Sequence, residues 1–411
     1  VSVSVNVAIA KPDYGAVGGF EIVLQRIADG LRERGHRVDL VQVDATTSPT
    51  SHLPVEVNDE ELPLFREFFR HLNLVAQFET LDVSGYDVVL CTQPASYAVR
   101  HPRKVVLFYH HVRTFYDLQE TIERVRRHDV DLHRLAGAIV RDVDAFHLTP
   151  AVRILAGSRR VKERLDLHSR LTDNVEVFAA GLDDDFLQFD RPITFEGPLC
   201  VGRHEFPKRT ELFIHAMNHV SGDRRGRILG DGSFTDRLMG IDAWLRLWHA
   251  GRQTGEDGRC ALDDHRLWRE YVIHFPSEAL LAAQAGVAER GLPSRVQFLG
   301  RSSRADLVAE YAAASCVVCP AFDEDFGLTC LEAMACGKPV IACSDGGGYV
   351  ELIEDGVDGF LVDPTGPAIA RAIDRLAQGD LARRMGARGR EKARAYTWTR
   401  AIDQVERALR A

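Results

Sequence analysis

Val3-Ser-Val-Asn-Val-Ala-Ile-Ala10 runs into Lys11-Pro-Asp13 and then into Gly15-Ala-Val-Gly18-Gly19. A segment follows with apolar residues at Ile22, Val23, Ile27 and Leu31, stopped by Gly35 and succeeded by the apolar run Val38–Val43. The first run reads as a buried strand ended by Lys-Pro-Asp, the 3.6-residue period as a helix, and Val38–Val43 as the next strand. A strand, a glycine loop, a helix and a second strand in that order open a doubly wound parallel sheet.

The same alternation continues outward. Asp87–Thr92, Val105–Tyr109 and Arg153–Ala156 are further strands, with a weaker pattern at Val175–Ala179. Gly181–Pro198 carries Asp183-Asp-Asp185 and two prolines, and reads as a linker. The rhythm then restarts with strands at Leu199–Gly202, Arg227–Leu229, Val296–Leu299, Cys316–Cys319, Pro339–Ala342 and Phe360–Val362. The expected fold is α/β, with domains over 1–180 and 199–395 and a linker at 181–198. One interval is too long for a simple crossover: some 60 residues separate the Ile228-Leu-Gly-Asp-Gly232 turn from Val296. Residues 240–276 of it hold Trp244, Trp248 and Trp268, and are expected to form a Trp-rich helical insertion.

The chain has 411 residues, 45% of them hydrophobic and 27% charged, which suits two buried cores and excludes collagen-like or disordered classes. A formal charge of −9 argues against a nucleic-acid partner. The eight cysteines scatter through apolar stretches, so reduced core thiols are expected, Cys316-x-x-Cys319 included. The N-terminal run lacks a basic n-region and a cleavage site, and no apolar stretch is long enough to span a membrane. A cytoplasmic enzyme is the resulting expectation.

The segment richest in chemistry is Asp323-Glu-Asp-Phe-Gly-Leu-Thr-Cys-Leu-Glu332-Ala-Met-Ala-Cys-Gly-Lys-Pro-Val340. Phe326, Gly327, Leu328 and Thr329 should start a helix, whose free N–H groups and dipole suit a diphosphate. Glu324, just before it, can hydrogen-bond sugar hydroxyls; Glu332, further along, can accept both hydroxyls of a ribose. Two ordinary surface glutamates on an amphipathic helix would give the same spacing. Gly18 and Gly19 permit close backbone approach of a ligand to the first helix. Dinucleotide binding is a rival, but Gly15-x-x-Gly18-Gly19 is not GxGxxG.

This segment resembles the E-x7-E motif of family 4 retaining glycosyltransferases, which have the two-Rossmann GT-B fold. Further motifs agree in order along nearly the whole chain. They are Gly18-Gly19-Phe-Glu21 with Gly35-His-Arg-Val38, Val201-Gly-Arg203 with Lys208, Leu229-Gly230-Asp-Gly232, and Val296-Gln-Phe298-Leu-Gly300. Ser344–Gly348 with Glu351, Asp355-Gly-Val-Asp-Gly359-Phe360 and Trp398 complete the series. The resemblance implies two Rossmann-like domains facing a central cleft, the nucleotide sugar on the second and the acceptor on the first, with a closing helix (396–411) that returns to the first domain. It implies that Arg203 and Lys208 meet the diphosphate, where leaving-group charge develops, and that a histidine after strand Val105–Tyr109 is functional. His110 comes first there; His111 is adjacent and leaves the identity open. Arg113 and Asp117 are expected on the acceptor side, Gly230, Phe298 and Arg301 near the donor, and Lys208 is followed by Arg209 where the family often has glycine.

The implied activity is transfer of a hexose from a UDP- or GDP-sugar to an acceptor hydroxyl, with retention. A GT-B epimerase or phosphorylase and a non-catalytic sugar-nucleotide binder are the alternatives. The nucleotide sugar is a co-substrate and no cofactor is expected. Four DxD pairs (Asp129/Asp131, Asp142/Asp144, Asp183/Asp185 and Asp323/Asp325) show how cheap that metal signature is, and no metal is expected. Residues 100–170 carry 15 basic against 9 acidic side chains, densest at Arg124, Arg126 and Arg127. Such a segment suits a small phosphorylated or lipid-linked acceptor and peripheral contact with an anionic membrane, or is simply a solvated helix face.

Overall fold

A computed structural model describes residues 4–15, 18–46, 65–125, 130–251 and 276–411. It comprises two compact units, Val1–Gly181 with Tyr396–Ala411, and Leu182–Ala395. Unit 1 holds β1 (Asn6–Asp13), β2 (Arg37–Asp44), β3 (Val88–Cys91), β4 (Lys104–Phe108), β5 (Arg153–Ala156) and β6 (Val175–Val177). They form one parallel sheet in the order β2-β1-β3-β4-β5-β6. β1 does not end at Ala10 as its composition suggests, but continues through Lys11 and Pro12 to Asp13. Pairing with β3 stops at Ala10, while pairing with β2 runs on to Asp13. Pro12 therefore has a strand on one side only, where a missing N–H is tolerated.

Helix Trp398–Arg410 packs on helix Gly19–Glu33 within unit 1. A Cβ at Gly30 would lie 2.0 Å from Ile402 Cδ1, so glycine lets the two helices touch. Arg34 and His36 both reach Glu406, at 2.6 and 3.2 Å. Asp144 sits at the centre of this unit's polar core, accepting from His71 Nε2 (2.8 Å) and from the Tyr116 hydroxyl (2.7 Å).

Unit 2 holds β7 (Gly197–Val201), β8 (Gly226–Leu229), β9 (Val296–Gly300), β10 (Ala314–Cys319), β11 (Val340–Cys343) and β12 (Gly359–Val362). The order is β12-β11-β10-β7-β8-β9, again all parallel. Its core joins Leu212, Phe213, Met217, Ile228, Ile341 and Ile369. The segment read as a linker is packed structure in this unit: Asp184–Leu187 is a helical turn, Phe186 is buried, and β7 starts at Gly197.

The expected insertion is helical at its start. Helix Thr235–Gly251 carries Trp244 and Trp248 stacked at 6.3 Å and 16°, packed against the unit 2 core. Residues 252–275, with Trp268 and Cys260, lie outside the described residues. The other seven cysteines are buried thiols; burial pushes Cys316 up to about 12, too high for a reactive thiolate. Among the described residues no helix is long and apolar enough to cross a membrane.

Candidate active site

In a doubly wound sheet, ligands bind beyond the carboxyl ends of the strands, where the strand order reverses. In unit 2 the reversal falls at β7 and β10: the chain leaves β7 toward β8 and β9, then crosses back to β10. Lys208 follows β7 and Glu324 follows β10, and their side chains meet with Nζ donating to Oε2 at 2.7 Å. Both are partly accessible, at 27% and 19% of their side-chain surface. Residues 116 apart in sequence are thus joined at the strand-order reversal of this sheet.

The backbone around Glu324 is fixed by glycine. Glu324 N–H donates to Gly346 O, and Gly348 N–H to Glu324 O at 2.7 Å. Gly347 has φ +59°, and a Cβ there would lie 2.5 Å from Glu324 O. Glu324 is therefore held outside helix Leu328–Ala335, with buried Phe326 between them and Gly327 capping the helix at φ +108°. A Cβ on Gly327 would meet the Tyr349 ring at 2.6 Å. Leu328 and Thr329 open the helix and are partly accessible.

Arg209 has another task. Its guanidinium is fully buried, bonded to Pro320 O at 2.6 Å and paired with Asp345. Its φ is +49°, the left-handed region that favours glycine. The left-handed turn aims Arg209 inward beneath the β10 loop, while Lys208 reaches Glu324.

Three loops at the ends of β7, β8 and β9 lie against one another. A Cβ on Gly230 would stand 1.9 Å from Gly202 O, and one on Gly232 2.5 Å from His204 O. Arg203 projects from the first loop, 68% exposed, with Glu205 at 3.0 Å. Arg301 projects from the third, 83% exposed, and pairs with Asp231 at 3.2 Å. Phe298 is different: it packs against the core beside the buried His204 ring, 6.1 Å away.

Glu332 is engaged within the protein. Tyr311 donates its hydroxyl to Oε2 at 2.9 Å, and Arg304 stands 3.6 Å from Oε1. Burial raises the Glu332 carboxyl to about 7, against the opposing pull of Arg304. Arg304 also holds Asp183 and Asp185, at 2.9 and 2.8 Å, over the Phe186 ring. Tyr311 and Arg304 were not singled out from sequence; each lies far from Glu332 along the chain, with no motif of its own. This network also occupies one of the four DxD pairs. Asp144 of a second is inside the unit 1 core, and Asp323 of a third is buried at φ +47°. Asp129 lies outside the described residues.

In unit 1 the strand order reverses at β1 and β3. Gly18 N–H donates to Glu21 Oε2 at 2.9 Å, while Glu21 Oε1 accepts from Gln93 at 3.2 Å and faces Lys11 at 4.0 Å. Gly18 is thus a helix cap closed by its own glutamate, and Gly19 beside it is exposed. The two histidines after β4 separate clearly. His110 is partly exposed, its Nδ1 2.8 Å from His111 O. His111 is 1% exposed, stacked on Tyr116 at 3.9 Å, and burial pushes its pKa down to about 3. Arg113 and Asp117 form an ion pair, Nε donating to Oδ2 at 2.6 Å.

Most of the basic segment is spent locally. Lys104 is buried on the carbonyls of Tyr97 and His147, Arg124 pairs with Glu120, and Arg134 with Glu123. Arg126 and Arg127 lie outside the described residues.

Two parallel sheets of this order, with glycine-shaped loops at their carboxyl ends, define an α/β enzyme fold of the GT-B class. The comparisons agree. Residues 17–186 match the model described as Glycosyltransferase Family 4, and residues 281–392 that described as Glycosyl transferases group 1. A D-inositol 3-phosphate glycosyltransferase from Corynebacterium diphtheriae is 38% identical over 97% of this chain and 91% of the relative. A local match to the protein of that description from Salinispora tropica reaches 43% over 120 residues, 29% of this chain and a quarter of that relative's length. Among solved structures, sucrose-phosphate synthase from Thermosynechococcus elongatus covers 98% of both chains with TM-score 0.65 and 22% identity. Anabaena HepE in complex with UDP and glucose covers 98% of this chain and 99% of that one, with TM-score 0.61 and 17% identity. The chain belongs to glycosyltransferase family 4.

Proposed function

We propose that this chain transfers a hexosyl group from a UDP- or GDP-sugar to an acceptor hydroxyl, with retention of anomeric configuration and no metal ion. The observation that carries the reading is the Lys208–Glu324 pair at the strand-order reversal of unit 2, beside the N-terminus of helix Leu328–Ala335. A diphosphate seated there meets Lys208, the exposed Arg203 and helix N-terminal N–H groups. These stabilise the charge that builds on the leaving group, the task a metal performs elsewhere. Lys208 then exchanges its contact with Glu324 for phosphate oxygens, and Glu324 turns to the sugar hydroxyls.

The C–O bond to the diphosphate breaks, and the acceptor oxygen bonds to the anomeric carbon from the same face. A donor phosphate oxygen takes the acceptor proton, so the products are a glycoside and a nucleoside diphosphate. Glu332, freed from Arg304, accepts the ribose hydroxyls, and Arg301 borders the base. His110 is the histidine assigned to the sugar, since His111 is enclosed by unit 1. The acceptor is read as a small phosphorylated polyol of the kind in the relatives' name, supported by 38% identity along 97% of the chain.

The test is a matrix of UDP- and GDP-sugars against D-inositol 3-phosphate and unphosphorylated inositol, with chelator throughout. Released nucleotide and the product's anomeric NMR signal are followed. One donor is expected to give an α-linked product from an α-linked donor only when the acceptor is phosphorylated. An inverted product refutes retention, activity abolished by chelator refutes metal independence, and equal use of both inositols refutes the acceptor class.

A further inference from the structure

Three histidines converge in unit 2 on elements the transfer reaction does not use. His215 and His219 are four residues apart on helix Thr210–His219, so they share one face a turn apart. His249 comes from the last turn of helix Thr235–Gly251. The Nε2 atoms of His215 and His219 are 3.1 Å apart. One imidazole nitrogen from each of the three lies within 4.8 Å of the others. Tetrahedral zinc with Zn–N of about 2.0–2.1 Å needs ligand atoms about 3.3 Å apart. One edge is already at that spacing, and the others close by at most about 1.5 Å.

The surroundings favour a cation. His215 is fully buried and oriented from behind: a Cβ on Gly366 would touch its Nδ1 at 2.4 Å, leaving Nε2 to face His219. Only glycine at 366 leaves room for that ring. His219 and His249 are partly exposed, which gives an ion a way in and the rings room to adjust. Each also lies in the last turn of its helix, where the dipole is negative and a cation is favoured. Three imidazole nitrogens suit a borderline dication such as Zn²⁺, and do not suit Mg²⁺ or Ca²⁺.

We propose that His215, His219 and His249 form a binding site for a divalent transition ion of the zinc class, which clamps helix Thr210–His219 to the end of helix Thr235–Gly251. The site is separate from the Lys208–Glu324 chemistry and does not depend on it. Trp248 is a built-in reporter, its ring 4.8 Å from that of His249 and 6.5 Å from that of His215.

The experiment is calorimetric titration of the full chain, free of any polyhistidine tag, with ZnCl2, alongside tryptophan emission and thermal melting. One equivalent is expected to bind, alter the emission, and raise Tm by a few degrees. His215→Ala opens a cavity in the core, so the informative variants are the partly exposed His219→Ala and His249→Ala. Each is expected to keep its metal-free melting behaviour and to bind Zn²⁺ at least about a hundredfold more weakly, since even outer-shell losses at zinc sites cost about 10–100-fold. No binding by the wild-type chain, or Zn²⁺ affinity unchanged in both variants, overturns the site. In the first case the 3.1 Å contact is an imidazole–imidazole hydrogen bond only.

Discussion

Replacing Lys208 by Ala separates a structural ion pair from a cation that works on the reaction. The pair is short, 2.7 Å, but its side chains retain 27% and 19% of their exposure. A solvent-accessible pair of this kind contributes about 0.2–1 kcal/mol to stability. In a domain of 150–250 residues that corresponds to about 1–4 °C in Tm. If Lys208 instead meets charge developing on the departing diphosphate, its loss is comparable to that of an oxyanion-hole donor, about 2.7–4 kcal/mol, or a factor of about 10²–10³ in kcat. The two quantities differ enough to be told apart. Nucleotide release at saturating donor gives kcat, and a melting curve of the same preparation gives Tm. Lys208→Ala is expected to lose at least about a hundredfold in kcat while Tm falls by less than about 4 °C. Glu324→Gln should behave alike, and the double variant should lose no more than the worse single one, because both act on one bound donor. A kcat within tenfold of wild type refutes the role of Lys208. So does a Tm drop large enough to unfold the protein at the assay temperature.

Other substitutions test the geometry. Gly327→Ala places a methyl against the Tyr349 ring at a φ of +108°, and should destabilise unit 2 by about 2–4 kcal/mol with loss of donor binding in calorimetry. His110→Ala should lower kcat with little change in Tm, whereas His111→Ala, which opens a cavity beside Tyr116, should lower Tm by several degrees. Glu211 is fully buried, and burial raises its carboxyl from 4.5 to about 7. The folded chain thus holds this proton more tightly than the unfolded chain, and stability falls as pH rises from 4.5 through about 7. Above that range the burial costs about 3 kcal/mol, so Glu211→Gln should melt higher than wild type at pH 8 and equally at pH 4.5.

The alternation of strand and helix and the turn glycines at 230 and 327 were legible in the chain. Each is a local demand: a period of 2 or 3.6, or a left-handed backbone angle that glycine meets cheaply. The segment at 181–198 misled because Asp and Pro usually mark solvent-exposed turns, whereas here Asp183 and Asp185 hold Arg304, some 120 residues away. The histidine cluster carried one local signal, the i,i+4 pair His215 and His219; its third member is 30 residues further on and joins only through packing.

Charge shows most plainly where sequence stops. By itself the sequence determined that the chain is acidic overall, that its first half has a basic stretch, and that Lys208 and Arg209 adjoin. The tertiary structure decided what each cation does. Lys104 is enclosed on carbonyls, Arg209 is turned inward by a left-handed backbone angle, and Lys208 remains beyond the carboxyl end of β7, in contact with Glu324. Composition counts charges, but the energy of a charge depends on its desolvation and on partners within a few ångströms, and those are set by the long-range packing of the sheet.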